Sequence, residues 1–252
     1  MKYYAFIGLG ALSMNMLESI AQVTDQIVVV DIDPASVDRV KDYVKTAYVA
    51  DATDEGALER ILPDNLDVAV VDMAGNIEAS ILVTHMLRKK GVPEIIVKAE
   101  SEDKGEILEI VGATRVVHSD KEAAARIVPL ILSSSLYNYM PIGGELVMAE
   151  VLIPSRLAGM SLMEADLRRK NGINVVALRS ENSVQYRDFD RDYRLTADDV
   201  LLVAGKEADI FAFSGISFAT PRHSEKRDLN IFKKIFKGEF KGKAVKSSKN
   251  GE

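Results

Sequence analysis

The chain has 252 residues, of which 47% are hydrophobic and 28% charged, and it has no cysteine. This composition predicts a globular protein with one large or two modest domains, and excludes a collagen, a disordered chain or a coiled coil as the whole molecule. The lack of cysteine excludes disulfides, thiolate nucleophiles and Cys-ligated zinc. The N-terminal residues lack the long apolar stretch of a membrane span, so we expect a cytoplasmic protein.

The net charge of −6 is unevenly distributed, because residues 222–252 carry +6 and the preceding residues −12. An acidic body argues against nucleic-acid binding. The basic tail over 221–252 predicts an interaction segment with a disordered end. Apolar residues at helical spacing between its lysines are typical of a helix that lies on an anionic membrane or in a partner's groove, and a flexible solubilising tail is the alternative.

Apolar runs of strand length recur through the first 120 residues. They lie at 3–7, 27–30, 48–49, 68–71, 95–97 and 115–117. Segments with helical spacing lie between and after them, at 12–21, 36–44, 54–61, 76–90, 104–111 and 121–134. Strands that are apolar throughout are buried on both faces, so the pattern predicts an α/β domain over 1–136 with a Rossmann-like, doubly wound parallel sheet.

A second, smaller unit is expected over 145–216. Residues 137–144 (YNYMPIGG) carry turn residues and predict a linker. Strand-like runs follow at 145–153, 174–177 and 200–203, with a short helical segment at 161–169. The pattern indicates a small α+β domain. The helical segment at 121–134 and residues 137–144 are more apolar than a linker needs, which favours self-association.

The first predicted strand runs directly into a glycine-rich turn. Gly8 and Gly10 are the first two glycines of a G-x-G-x-x-G motif. Ala11 and Leu12 follow, and Ser13 stands in place of the third glycine. Such a turn lets a phosphate approach the backbone at a helix N-terminus. Asp31, which precedes Ile32, ends the second strand 21 residues after Gly10, where a carboxylate accepts hydrogen bonds from ribose. We expect an adenine nucleotide or dinucleotide here; a loop that binds nothing is the alternative.

The ends of the third and fourth strands add further candidates. Asp51, followed by Ala52 and Thr53, lies where the adenine edge would pass, although Thr53 could instead cap the next helix. Ala74 and Asn76 follow the fourth strand at the edge where ligands of open α/β sheets bind. Capping of the next helix explains Asn76 equally well.

The last two strands end in charged residues. Lys98, beside Glu100, could neutralise phosphate. Asp120 could hold a divalent cation against phosphates or cap the following helix. No catalytic constellation is evident, since the three histidines are scattered. We therefore expect a binding protein and not an enzyme, with a small NAD(P)-dependent oxidoreductase as the alternative.

An ordered set of motifs resembles the RCK domain, the regulator of potassium conductance of Ktr- and Trk-type potassium uptake systems. The motifs are GLGALS, VVVDID, ADATDEGAL, MAGNIEAS, IIVKAE and VGATRVVHSDKEAA. Residues 145–214 resemble the smaller C-terminal RCK subdomain. Ktr-type members often read GLGRFG, where this chain has Ala11 in place of the arginine and Ser13 in place of the last glycine.

The resemblance implies a cytoplasmic homo-oligomer, from a dimer to an octameric ring, docked on a membrane potassium channel or transporter at the inner face of the cell membrane. It implies that ATP, ADP or NAD(H) binds the N-terminal domain and controls ion flux. Motif matches assign that site to Gly8, Gly10, Asp31, Asp51, Ala52, Asn76, Lys98 and Asp120.

Some Ktr-type members also bind cyclic di-AMP in the C-terminal subdomain. The matching residues here are Leu162, Met163, Arg168, Lys170 and Asn174. An arginine can pair with phosphate and an asparagine can donate to a ligand. The alternative is a solvated basic helix end, because cationic side chains are favoured at helix C-termini.

Overall fold

The computed structural model describes residues 2–216, so the predicted basic tail over 221–252 lies outside the described residues. The chain forms two compact units, of which the first ends at Lys121 and the second begins at Glu122. The predicted domain bounds, 1–136 and 145–216, stay predictions. Within residues 2–216, every helix is too short or too polar to span a bilayer.

The first unit contains a six-stranded parallel sheet. Its strands are β1 (Tyr4–Ile7), β2 (Ile27–Asp31), β3 (Thr46–Val49), β4 (Val68–Val71), β5 (Glu94–Lys98) and β6 (Arg115–Val117). The spatial order β3-β2-β1-β4-β5-β6 reverses direction between β1 and β4, as in Rossmann folds. The predicted doubly wound parallel sheet is confirmed.

Helices follow the strands of this unit. They are α1 (Ala11–Ala21), α2 (Pro34–Val40), α3 (Glu55–Ile61), α4 (Ile77–Lys90) and α5 (Glu102–Val111). The predicted bounds of α2, 36–44, are wrong, because the helix begins at Pro34 and ends at Val40. Asp33 caps it by accepting hydrogen bonds from the N–H groups of Ala35 and Ser36, and Pro34 occupies its first turn. Proline's fixed φ favours that position.

The core of the first unit lies on both faces of the sheet. Ala5 and Ile7 of β1 pack into one apolar cluster, whereas Phe6 between them packs into the other. All three side chains are fully buried. Alternate residues of a strand point to opposite faces, so a strand apolar at every position is buried on both sides and needs helices above and below it. The apolar strand runs in the sequence therefore predicted the layers correctly.

The second unit is built on an antiparallel sheet. Its strands are β7 (Leu136–Gly143), β8 (Leu146–Leu152), β9 (Ile173–Ser180) and β10 (Asp199–Lys206), in the order β7-β8-β10-β9. The predicted linker over 137–144 is therefore wrong. Pro141 is compatible with β7 because this strand lies at the edge of the sheet. Tyr139 anchors the strand by stacking on Phe211, with 5.5 Å between ring centroids.

Four further α-helices lie within residues 2–216. They are α6 (Ser119–Leu132), α7 (Leu162–Ala165), α8 (Leu167–Asn171) and α9 (Glu207–Phe213). The prediction of one helix over 161–169 is wrong, because Asp166, with φ of 44°, divides it into α7 and α8. Sequence analysis missed α9. Its Ile210, Phe211 and Phe213 are buried in the core of the second unit.

Candidate functional site

A cleft of about 470 Å³ opens at the carboxyl ends of β1, β2 and β4. This is the point where the strand order reverses and where ligands of open α/β sheets bind. The cleft lies within the first unit. Its lining residues are Gly8, Leu9, Gly10, Val30, Asp31, Ile32, Ser36, Ala50, Asp51, Ala52, Thr53, Asp72, Met73, Ala74, Asn76 and Ala79.

The glycine turn packs closely against the end of β4. Gly8 has φ of +80°, and a Cβ there would lie 2.2 Å from the carbonyl oxygen of Asp72. A Cβ on Gly10 would lie 2.2 Å from the Asp72 side chain at Oδ2. Both glycines are therefore required by contact with Asp72, independently of any ligand.

Asp31 ties the end of β2 to the glycine turn. Its Oδ2 accepts a hydrogen bond from the Leu9 N–H at 2.5 Å, and its Oδ1 accepts one from the Asp33 N–H at 2.8 Å. An ionised carboxylate has about four acceptor sites, so both oxygens retain capacity for ribose hydroxyls. Asp31 is not a helix cap, since Asp33 caps α2.

Asp51 also lines the cleft, two residues after the end of β3. It accepts hydrogen bonds from the N–H and the hydroxyl of Thr53, at 2.9 Å and 2.7 Å. The Thr53 hydroxyl and N–H hold the pKa of the Asp51 carboxyl below its usual value. The alternative that Thr53 caps α3 is wrong, because Asp54 does so by accepting from the Ala57 N–H.

The loop after β4 forms the remaining wall. Ala74 has a positive φ of 48°, which is costly for a residue with a Cβ. Asn76 accepts from the Ala79 N–H at 3.1 Å, so it caps α4 and also lines the cleft. The capping interpretation of Asn76 is confirmed, and its role in ligand binding stays a prediction. Ile32 also lines the cleft and is 70% exposed.

Some predicted site residues lie outside the lining. Ala11, Leu12 and Ser13 form the first turn of α1 beside the cleft, with Ala11 exposed and Ser13 fully buried. The other three are Lys98, Glu100 and Asp120, none of which lines the cleft.

These three charged side chains have different surroundings. The Lys98 Nζ points to Asp72, 3.8 Å from Oδ1. Glu100 pairs with Lys104 at 2.6 Å, which lowers the pKa of its carboxyl. Asp120 is exposed at the start of α6. Among residues 2–216, no group of three or more His, Asp or Glu side chains is arranged to hold a metal ion.

Asp72 packs against both Gly8 and Gly10 of the glycine turn, but it was not among the predicted site residues. Its side chain is 1% exposed and its Oδ2 accepts from the Ser13 N–H at 3.4 Å. The available signal was its position, because Asp72 follows β4 as Asp51 follows β3. The other lining residues that were not predicted carry no comparable signal; they are Leu9, Val30, Ser36, Ala50, Met73 and Ala79.

The residues predicted for a second ligand lie on adjoining elements of the second unit. Leu162 and Met163 begin α7, Arg168 and Lys170 lie on α8, and Asn174 lies on β9. The Lys170 Nζ donates to the carbonyl of Glu164 at 2.9 Å, which matches the alternative of a basic helix end. Arg168 is exposed. Their binding of cyclic di-AMP stays a prediction.

The fold defines a protein with a Rossmann-like unit followed by a unit that is built on an antiparallel sheet. Residues 4–119 match the TrkA-N domain, and residues 146–214 match the TrkA-C domain. The chain belongs to the family of Ktr system potassium uptake proteins, and the resemblance to RCK proteins is confirmed.

Two curated relatives from Bacillus subtilis (strain 168) support this assignment. Ktr system potassium uptake protein C is 33% identical over 84% of this chain and 96% of its own length. Ktr system potassium uptake protein A is 27% identical over 84% of this chain and 95% of its own length. Both alignments extend over both domains, so the likeness is not restricted to the nucleotide-binding fold.

Solved structures share the fold. The RCK domain of GsuK has a TM-score of 0.58 at 17% identity, covering 88% of this chain and 48% of that chain. The GsuK channel bound to NAD has a TM-score of 0.58 at 18% identity, covering 88% of this chain and 40% of that chain. The chain thus spans less than half the length of these proteins, and at such identities the likeness concerns the fold.

Proposed function

We propose that this protein is a nucleotide-binding regulatory subunit of a potassium uptake system. The observation that carries the proposal is the cleft at the carboxyl ends of β1, β2 and β4, which Asp31 lines. The chain that contains it matches 96% of the length of a Ktr potassium uptake protein. The ligand changes the conformation of the subunit and thereby controls ion flux through a membrane partner.

The cleft suits an adenosine group. The Asp31 carboxylate accepts from ribose hydroxyls, and Asp51 lies within the same cleft for the exocyclic amine. The α1 N-terminus offers N–H groups to phosphate. ATP, ADP and NAD(H) share these features, and the GsuK channel, which has the same fold, is known bound to NAD.

Calorimetric titration of the full-length protein with ATP, ADP, NAD and NADH tests ligand binding. Asp31→Asn keeps one oxygen for the Leu9 N–H but loses the charge and the second acceptor. Since a hydrogen bond to a charged group contributes about 1.5–3 kcal/mol, we expect affinity to fall about tenfold or more. Asp38→Asn, an exposed change on α2, is the matched control and should leave affinity unchanged. Equal affinity of Asp31→Asn and wild type would contradict the site.

The regulatory role requires a membrane partner and an oligomer. We propose a homo-oligomer, from a dimer to an octameric ring, that docks on a potassium channel or transporter at the inner face of the cell membrane. The exposed apolar side chains of α6, among them Ile127, Ile131 and Leu132, support self-association. We propose no nucleic-acid partner, because the residues that precede the basic tail carry a net negative charge.

Potassium flux tests the regulatory role directly. The protein is reconstituted in vesicles with a Ktr-type membrane subunit, and flux is measured with and without each nucleotide. We expect flux to depend on nucleotide with wild type and with Asp38→Asn, and to lose that dependence with Asp31→Asn at the same nucleotide concentration. A potassium flux that is the same with and without each nucleotide would exclude nucleotide control.

Three finer proposals accompany this function. The protein turns over neither ATP nor NADH. Hydrolysis above background that Asp120→Asn abolishes would contradict this.

A divalent cation accompanies the nucleotide and is held by Asp120. Chelation should therefore weaken ATP binding in wild type but not in Asp120→Asn.

Cyclic di-AMP binds the second unit through Arg168. Arg168→Ala should therefore abolish the binding of cyclic di-AMP, whereas Arg169→Ala, a change at the neighbouring residue, should not.

A further inference from the structure

Asp72 shares the N-terminus of α1 with any phosphate that enters the cleft. The residue is 2% exposed, and its Oδ2 accepts from the N–H of Ser13 in the first turn of that helix. A helix N-terminus stabilises anions through its free N–H groups and its dipole. Here a fixed carboxylate of the protein already uses part of that stabilisation.

The charge of Asp72 is incompletely balanced. Its Oδ1 is buried and finds no hydrogen-bond partner among the described residues. Lys98 is the nearby cation, at 3.8 Å from Oδ1, which is beyond hydrogen-bond distance. Asp31 and Asp51 add two further carboxylates, and none of the described lining residues is basic. The cleft therefore offers a polyphosphate little compensating charge.

We propose that Asp72 is a specificity residue that limits the negative charge the cleft accepts. It favours adenine ligands with little charge at the glycine turn, such as a dinucleotide whose diphosphate is esterified at both ends, over ADP and ATP with their more highly charged terminal phosphates. This inference rests on the proposed nucleotide binding. The repulsion acts through space, so it does not require contact between ligand and Oδ1, and burial of Asp72 reduces its screening by salt.

The neutral variant Asp72→Asn tests the proposal, since it preserves the side-chain shape and an acceptor for the Ser13 N–H. Adenosine, AMP, ADP, ATP and NAD are titrated into full-length protein with EDTA present. In wild type, affinity should not rise from AMP to ATP. In Asp72→Asn, affinity for ATP should rise about tenfold or more, that for NAD should rise less, and that for adenosine should stay within about twofold.

Asp64→Asn is the matched control, because it removes the same charge at a fully exposed site that pairs with Lys90. It should leave the whole ligand series unchanged. If circular dichroism shows that Asp72→Asn does not fold, Asp72→Ser carries the test, since its hydroxyl is smaller, neutral and able to accept. The same dependence on ligand charge is expected.

The ligand series separates this inference from the proposed function. An equal change for adenosine and ATP would make Asp72 a structural residue and overturn the proposal, as would unchanged affinities for all ligands. If adenosine or NAD bound to wild type in either of those cases, the proposed nucleotide site would stand. If no ligand bound to wild type or to the variant, the proposed function would be wrong and this inference with it.

Discussion

The carboxylate of Glu150 on β8 is held by the guanidinium of Arg179 on β9, with 2.8 Å between Oε1 and Nε. Both residues are more than nine-tenths buried. Arg179 also donates to the carbonyls of Ser180, Glu181 and Ser183, and thereby fixes the chain where it leaves β9. The Tyr186 hydroxyl donates to Glu150 from the far side of this turn. The pair joins the sheet of the second unit to the connection between β9 and β10.

Arg179→Met should destabilise the protein by about 3 kcal/mol, because it leaves the buried Glu150 carboxylate without its cation. The double variant Glu150→Leu, Arg179→Met should lose less, since neither charge remains. Urea unfolding followed by circular dichroism measures both. Arg169→Met, at an 87% exposed side chain on α8, is the control and should change stability by less than about 0.5 kcal/mol. Equal effects of Arg179→Met and Arg169→Met would contradict the role of the pair.

The Glu150 pair should also contribute to acid sensitivity. The Arg179 guanidinium, opposed by burial and assisted by the Tyr186 hydroxyl, holds the pKa of the Glu150 carboxyl below its usual value. A depressed folded pKa gives stability that is complete above the unfolded pKa of about 4.3 and is lost as pH falls through the folded pKa. The stability difference between wild type and Glu150→Gln should therefore shrink below about pH 4. A difference that grows on acidification would contradict this sign.

Ser13→Ala should increase the free energy of unfolding by about 1 kcal/mol. The Ser13 side chain is fully buried, and in the part of the chain that the structure describes its hydroxyl has no hydrogen-bond partner. Removing an unsatisfied buried hydroxyl from a helix is favourable, and alanine is the better helix former. Ser80→Ala is the contrast, because the buried Ser80 hydroxyl donates to the Asn76 carbonyl at 2.9 Å. Thermal unfolding should show opposite shifts, and a loss of stability in both would contradict the prediction.

Ile127→Glu combined with Ile131→Glu should shift the protein to smaller species. These side chains are 52% and 77% exposed and lie one helical turn apart on α6. Charges placed there would have to be desolvated in an apolar interface. Light scattering at micromolar concentration measures the change. Val23→Glu, at an 81% exposed site after α1, is the control; an unchanged mass for the α6 variant would exclude this face from the interface.

Much of the candidate site was predictable because it depends on local order along the chain. A parallel sheet brings the carboxyl ends of its strands to one edge, so residues at the end of a strand or in the loop after it meet there. Gly8, Asp31, Asp51 and Asn76 were found in this way, and all line one cleft. Lys98 also stands at the end of a strand, but its side chain points to Asp72, and residue order contains no information on that direction.

Errors arose where a local pattern fits two structures. Proline and glycine at 137–144 indicated a linker, yet the edge of an antiparallel sheet accepts proline, and Tyr139 gains its burial from Phe211, 72 residues further along the chain. The helical pattern over 161–169 did not reveal that Asp166 adopts a positive φ between two short helices. These outcomes depend on contacts between distant residues.

The sequence by itself determined the parallel sheet, the glycine turn and the acidic strand ends, because each follows from burial or spacing among neighbouring residues. Only the tertiary structure decided what the acidic strand ends do. Both residues line the cleft, but the Asp31 carboxylate accepts from the Leu9 N–H of the glycine turn, whereas the Asp72 side chain is buried against Gly10 and accepts from the Ser13 N–H. Their strands, β2 and β4, pair with β1 on opposite sides of it, and strand order in space is a property of long-range packing.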